Sequence, residues 1–320
     1  LALSVDLGGT KTLSAAVTPD GRVLARDLCP TPASAGVDRV LRAAVDSLRR
    51  VYIQANVAAR GASVVGLAMP GISDPEKGIV YSSPNLPDWH NVPVAAIFQD
   101  NFGCPAHVIN DANAAALGEM YYGAARGIAN FVYITVSTGI GGGIVAGGEL
   151  YTGVTGLAGE LGHMTILDDG PDCPCGNKGC WEMLASGTAL GREARRRLSA
   201  GETSAILDIA GGDIERVTAR EVSLAYRQGD RLAVELVKRA AYYLGVGLTN
   251  IVNIFNPEMV VVGGGLLKLG EALLGPAREM VMARAYPEAA RAARIVTAGL
   301  GGDSGLLGAA AYALGREMRS

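Results

Sequence analysis

Two glycine turns set the frame within which this chain can fold. Asp6-Leu7-Gly8-Gly9-Thr10-Lys11-Thr12 and Ser137-Thr138-Gly139-Ile140-Gly141-Gly142-Gly143 each sit between an apolar strand and its returning partner, and similar elements follow both. In the first half, apolar runs predict strands over 1–7, 12–18 and 23–29. Helical spacing predicts a helix over 37–55, and a nearly all-apolar run at 63–69 predicts a buried parallel strand. A Pro-rich loop over 83–93, a short helix near 94–102, a strand at 106–109 and an Ala-rich helix opening at Asp111 follow. From Asn130 the order begins again, with a strand at 131–136, a glycine turn at 138–143 and a returning strand at 144–146.

The second half then departs from the first. An irregular insertion rich in Gly, Asp and Cys occupies 150–181, and helical patterning covers 186–198 and 206–254 with breaks at Gly211-Gly212 and Gly229. A strand at 259–262 runs into Gly263-Gly264-Gly265, and a helix, a strand at 294–297 and a closing helix from Asp303 end the chain. At about 100–200 residues per domain, 320 residues fit two. The expected fold is α/β, with a small domain over 1–113 plus 303–320 and a large one over 114–302 that carries the insertion. Each would hold a mixed sheet in strand-strand-strand-helix-strand-helix-strand order, with a cleft between them and the closing helix crossing back to the first.

Glycine is the unusual number in the composition: 44 of 320 residues, against a common level of about 7 %, and clustered at strand ends. Without Cβ atoms, such turns let backbone N–H groups approach an anion. In the first turn Lys11 and the hydroxyls add donors, and Asp6 could hold Mg²⁺ through water; a plain hairpin is the alternative. The first turn is not a P-loop, which joins a strand to a helix through Gly-x-x-x-x-Gly-Lys-Ser/Thr. The second fails the dinucleotide fingerprint, because Ile144 occupies the third glycine position. Gly263-Gly264-Gly265 is read as a strand-to-helix junction, where a ligand would meet helix N-terminal N–H groups. Three such sites point to one clamped nucleotide.

Asp111 follows an apolar strand and opens a helix, so two roles stand side by side. It is an N-cap, or it is a general base acting on a hydroxyl that attacks phosphorus, with Asn110 as a hydroxyl anchor. The sharpest signal is His163 followed by Cys173, Cys175 and Cys180. Cys₃His is a closed tetrahedral zinc set, which makes the ion structural, a staple for the insertion and for Glu160, His163 and Glu182 within it. His90 and His107 are read as structural, and Arg195-Arg196-Arg197 as a solvated helix face.

The charge balance of 28 Lys+Arg against 31 Asp+Glu carries no basic footprint for nucleic acid. No apolar run approaches about 18 residues and no signal peptide opens the chain, so no membrane role is expected and the cytoplasm is the default compartment.

Taken together, these residues resemble the ROK sugar kinases and repressors, within the hexokinase–actin ATPase superfamily. The resemblance runs through Asp6–Lys11, Pro70-Gly71, Asn85-Leu86, Asn110-Asp111, Ser137–Gly143, Glu160–His163, Cys173–Glu182 and Gly263–Gly265. It implies two actin-like, ribonuclease H-like domains and a kinase moving the γ-phosphate of ATP to the 6-hydroxyl of a hexose, glucose first, with Asp111 as base. Gly71, Asn85, Asn110, Glu160, His163 and Glu182 would hold the sugar. Asp6, Gly8, Gly9, Thr10, Lys11, Thr138, Gly139, Gly264 and Gly265 would contact nucleotide and phosphates, with Mg²⁺ bridging. His163 would serve zinc with one ring nitrogen and the sugar with the other. N-acetylglucosamine, N-acetylmannosamine or fructose as acceptor, polyphosphate as donor and a non-catalytic sugar sensor are the alternatives. Repressors of the family carry a helix-turn-helix ahead of the kinase fold, which the start at Leu1 would exclude here. The expected assembly is a homodimer or homotetramer.

Overall fold

The computed structural model describes residues 1–84, 86 and 88–319, apart from the side chains of Arg60 and Arg319. The chain divides into two compact units, 1–129 with 143–159 and 298–320, and 130–142 with 160–297.

The first unit is built on β1 (Ala2–Leu7), β2 (Lys11–Val17), β3 (Val23–Pro30), α1 (Val37–Gln54), α2 (Val57–Arg60), β4 (Val64–Met69), β5 (Ile72–Asp74), β6 (Ile79–Ser82), α3 (Val94–Phe102), β7 (Ala106–Asn110) and α4 (Asp111–Tyr122). Its sheet has the order β3-β2-β1-β4-β7, antiparallel across β1, β2 and β3 and parallel from β1 through β4 to β7. All six residues of β4 are buried, as a central parallel strand covered on both faces requires. Helix α1 lays Val40, Leu41, Ala44, Val45, Leu48 and Val51 on one buried stripe, against a core that includes Leu3, Leu67 and Phe98.

The second sheet has the order β10-β9-β8-β11-β12, from β8 (Phe131–Val136), β9 (Ile140–Ala146), β10 (Glu149–Tyr151), β11 (Met259–Gly263) and β12 (Arg294–Thr297). Strands β8, β11 and β12 run parallel. The second unit's helices are α5 (Glu182–Ala185), α6 (Gly187–Ser199), α7 (Ala205–Ile209), α8 (Ala219–Arg227), α9 (Arg231–Phe255), α10 (Glu271–Arg284) and α11 (Pro287–Ala292). Both sheets thus follow the strand-helix order read from sequence.

The closing helix, α12 (Ser304–Arg319), falls in the first unit, packed on α4, β1 and β4. A Cβ on Gly308 would sit 1.6 Å from the Ala114 carbonyl oxygen, so glycine is what lets α12 and α4 come this close. This packing also places the division at 129 instead of 113, because α4 stays with its partner.

Three local readings are corrected. The second glycine turn is confined to 137–139, since β9 begins at Ile140 and takes in Gly141, Gly142 and Gly143. Glycine inside the strand reflects crowding from a neighbouring helix: a Cβ on Gly143 would lie 2.7 Å from the Ala116 Cβ. After Gly263, the chain forms a 3₁₀ segment over Gly265–Leu269, and the regular helix starts only at Glu271. The hairpin of β5 and β6 and the short β10 had no sequence-level assignment; each is too brief to show a period.

Candidate active site

In the first unit, the turn after β1 is closed by the Gly8 N–H donating to the Lys11 carbonyl at 2.9 Å, leaving Thr10 and Lys11 exposed. Asp6, at the end of β1, has its carboxyl pushed up to about 7. Loss of water is the first cause and the nearby Asp111 charge the second, with Lys11 opposing and Asp303 adding to the rise. Asp6 also lies against the start of α12, where a Cβ on Gly305 would come within 2.7 Å of its Oδ2.

The capping of α4 settles one alternative. Asn110 is the N-cap, its Oδ1 accepting from the N–H groups of Ala112 at 2.9 Å and Asn113 at 3.1 Å. Asp111 is the first helical residue, one position past the cap, and its Oδ1 accepts from the Ala112 N–H at 2.8 Å. The Asn110 Nδ2 donates to the Gly71 carbonyl at 3.4 Å, so Gly71, Asn110 and Asp111 form one edge at the ends of β4 and β7. Asn85 lies outside the described residues.

In the second unit, Glu182 connects two motifs that sequence left separate. Its Oε2 accepts the Ile140 N–H at 2.7 Å, and a Cβ on Gly139 would stand 2.2 Å from that same oxygen. The glycine is thus the space the carboxylate occupies. Glu160 Oε2 lies 3.9 Å from His163 Nε2. Loss of water, then the Glu182 charge, pushes the Glu160 carboxyl up, with His163 opposing.

The four expected metal ligands converge. The ligand atoms of His163, Cys173, Cys175 and Cys180 all lie within 4.8 Å of one another. The Cys173 Sγ is 3.6 Å from His163 Nδ1 and the Cys175 and Cys180 sulfurs are 3.7 Å apart. Three thiols and an imidazole at these separations fit a tetrahedral ion with Zn–S of about 2.3 Å and Zn–N of about 2.0 Å. They leave Nδ1 facing the thiols and Nε2 facing Glu160. Trp181, directly after Cys180, is fully buried and donates from Nε1 to the Tyr243 carbonyl at 2.9 Å, which anchors the cysteine segment on α9.

Thr138, Gly265 and the start of α6 line a cavity of about 570 Å³ within the second unit. The Gly187 and Thr188 N–H groups donate to the Ser137 and Thr138 carbonyls at 2.7 and 3.1 Å, fastening the glycine turn to the helix. Gly264 (φ +97°) backs onto the Val136 carbonyl oxygen, 2.4 Å from where a Cβ would sit. Arg195, Arg220, Arg227 and Lys268 line the cavity, with no carboxylate among its described lining residues. Such a positive lining suits a polyanion. Sequence reading missed these cations. Arg195, expected on a solvated face, instead lines this cavity and donates to the Val217 carbonyl at 2.6 Å. A helix opening with Ser186-Gly187-Thr188 directly after the cysteine segment was the available signal, Ser186 being its N-cap. His107 is structural as expected, 2.9 Å from Glu317.

Comparison with known proteins agrees with this geometry. The ROK family profile matches residues 2–316. A glucokinase from Thermotoga maritima is 39 % identical over 96 % of this chain and 95 % of its own. A ROK hexokinase structure from Thermus thermophilus superposes with a TM-score of 0.81 at 37 % identity, covering 100 % of this chain and 99 % of that one. A ROK family glucokinase from Streptomyces griseus, solved in complex with glucose and AMPPNP, gives a TM-score of 0.83 at 35 % identity, covering 98 % and 99 %.

Proposed function

The chain belongs to the ROK family, and from that premise we propose that it is an ATP-dependent glucokinase, transferring the γ-phosphate of ATP to the 6-hydroxyl of glucose. The observation that carries this reading is Asp111. It opens α4 one residue past the cap, beside the anchor Asn110 and in electrostatic contact with Asp6.

Phosphoryl transfer asks a protein chiefly for positioning and charge. Asp111 accepts the proton of the attacking 6-hydroxyl. Gly71, Asn85, Asn110, Glu160, His163 and Glu182 are the proposed readers of the remaining hydroxyls. The cationic cavity, lined by Thr138 and Gly265, takes the nucleotide, and Gly139, Gly264, Gly8, Gly9, Thr10 and Lys11 supply further backbone and side-chain donors to its phosphates.

Mg²⁺ fits the oxygen chemistry of Asp6, whose raised proton affinity marks a carboxylate short of a counter-charge, and when bound it would neutralise the phosphates. Zinc fits the Cys₃His cluster and would hold the Glu160–Glu182 segment in shape. A homodimer or homotetramer in the cytoplasm is the proposed setting; no described helix is long and apolar enough to cross a membrane.

The deciding experiment is ADP release with Mg-ATP and glucose, mannose, fructose, N-acetylglucosamine or N-acetylmannosamine, one at a time, then with polyphosphate as donor. Glucose should respond most strongly, and Asp111→Ala should cost about 10²–10⁴-fold in kcat. Silence across the panel from folded, zinc-loaded protein, together with tight sugar binding, would replace the kinase with a sugar sensor. A variant keeping most of its rate would remove Asp111 as base.

A further inference from the structure

The first unit holds a second cavity, of about 750 Å³, that shares only Asn110 with the residues assigned above to phosphoryl transfer. It begins beside Asn110 and runs along α4, between the β5–β6 hairpin and the C-terminal half of α12. Its volume is that of a small-molecule site, for which about 300–1,000 Å³ is usual.

Asn113 lines this cavity and is 4 % exposed, yet its Oδ1 has no hydrogen-bond partner among the described residues. A buried amide oxygen without a donor is destabilising, so the position calls for a hydroxyl or N–H from an occupant. The tyrosines Tyr81, Tyr121 and Tyr312 line the same space, joined by Leu117 and Met120 from α4. They offer flat apolar faces with polar tips. Tyr121 remains 49 % exposed and Ile72, at the rim, 42 %.

Charge decides which occupant fits. Three carboxylates, Asp74, Glu76 and Glu149, line the cavity against the guanidinium of Arg316, among its described residues. Arg316 is already spent on Glu76, at 2.6 and 3.0 Å, and the neighbouring Lys77 is paired with Asp74 at 3.1 Å. No uncompensated cation is left among the described lining residues for a phosphate. This is the opposite of the cationic cavity in the second unit, and it excludes nucleotides and sugar phosphates on electrostatic grounds.

An occupant that donates hydroxyls, carries apolar C–H faces for the tyrosine rings and bears no negative charge is a neutral carbohydrate. We propose that this groove is a second carbohydrate site, distinct from the acceptor position, in which ligand hydroxyls donate to Asn113 Oδ1 and to the carboxylates while the sugar rings lie against Tyr121 and Tyr312.

The test is calorimetric titration of maltose into the zinc-loaded protein kept saturated with glucose, which fills the acceptor position. Glucose phosphorylation is measured in parallel, so that failure of the kinase reading and failure of this one are told apart. Maltose should bind with one site per chain under saturating glucose. Asn113→Leu should weaken that binding roughly three- to tenfold, the fold-change of one lost hydrogen bond. Tyr121→Ala, on the exposed rim, should weaken it as well while leaving glucose phosphorylation unchanged. Absence of maltose binding under saturating glucose would overturn the proposal, as would competition with glucose for one site. Binding of glucose 6-phosphate in the groove, detected by its displacing maltose and blunted in Tyr121→Ala, would overturn the charge argument and the proposal with it.

Discussion

Replacing Gly139 by Ala tests how the second glycine turn and the cysteine segment are coupled. Gly139 has an ordinary φ, so alanine strains nothing in the backbone, and the three nearest atoms to the new Cβ all belong to Glu182, at 2.2, 3.1 and 3.8 Å. A carboxylate at the end of a flexible side chain can swing away, so the steric cost itself is small. What is lost is the hydrogen bond from the Ile140 N–H to Glu182 Oε2, at 2.7 Å. A bond to a charged acceptor contributes about 1.5–3 kcal/mol. The variant should therefore lose that much stability in urea denaturation, and, on the proposed role of Glu182 as a sugar ligand, its KM for glucose should rise. The control is a double-mutant cycle: in a Glu182→Ala background nothing remains for the Cβ to displace, and adding Gly139→Ala should change stability by less than about 0.5 kcal/mol. If the full penalty persists in that background, the coupling is not carried by Glu182 and the reasoning fails.

Further outcomes follow from other residues. Asp6 holds its proton up to about pH 7 in the folded chain but only to about pH 4 once unfolded, so the native state binds more protons across that window and stability falls as pH rises through it. In magnesium-free buffer, Asp6→Asn should gain nothing at pH 4 and up to about 4 kcal/mol above pH 7, three pH units at about 1.4 each; a gain independent of pH refutes the assignment. A Cβ on Gly265 meets only the Ser137 Oγ at 3.5 Å, an ordinary contact, so Gly265→Ala should leave the melting temperature unchanged while raising KM for ATP. An unchanged KM would remove Gly265 from the nucleotide site. Chelating zinc, or Cys180→Ser, should raise KM for sugar sharply with little loss of helical circular dichroism, because 160–182 is mostly irregular backbone and contributes little helix of its own. Loss of the whole fold on chelation would show the staple to be global.

Most strands and helices of the two sheets were legible because their apolar patterns are local, whether the strand is buried throughout, as β4 and β11 are, or half-exposed, as β3 and β12 are. Phe131–Val136, Val94–Phe102 and Arg294–Thr297 appear in the structure with the bounds that their apolar spacing indicated. The metal ligands were legible for a similar reason: Cys173, Cys175 and Cys180 are close in sequence, and few chemistries other than metal binding place three thiols so near a histidine. What sequence alone determined about this protein is therefore its strand and helix order and the set of His163, Cys173, Cys175 and Cys180 that converges in the fold.

The rest depended on contacts between residues far apart in the chain. That Asn110 caps α4 while Asp111 sits one position on is a matter of backbone angles one residue long, and either residue type can cap. That α4 belongs with α12 follows from Gly308 meeting Ala114, residues nearly two hundred positions apart. The cationic cavity gathers Arg195, Arg220, Arg227 and Lys268 from α6, α8 and the 3₁₀ segment after β11, and each alone looks like a solvated charge. The raised proton affinity of Asp6 has the same origin: desolvation and a second carboxylate act through space, over distances that only the folded chain defines.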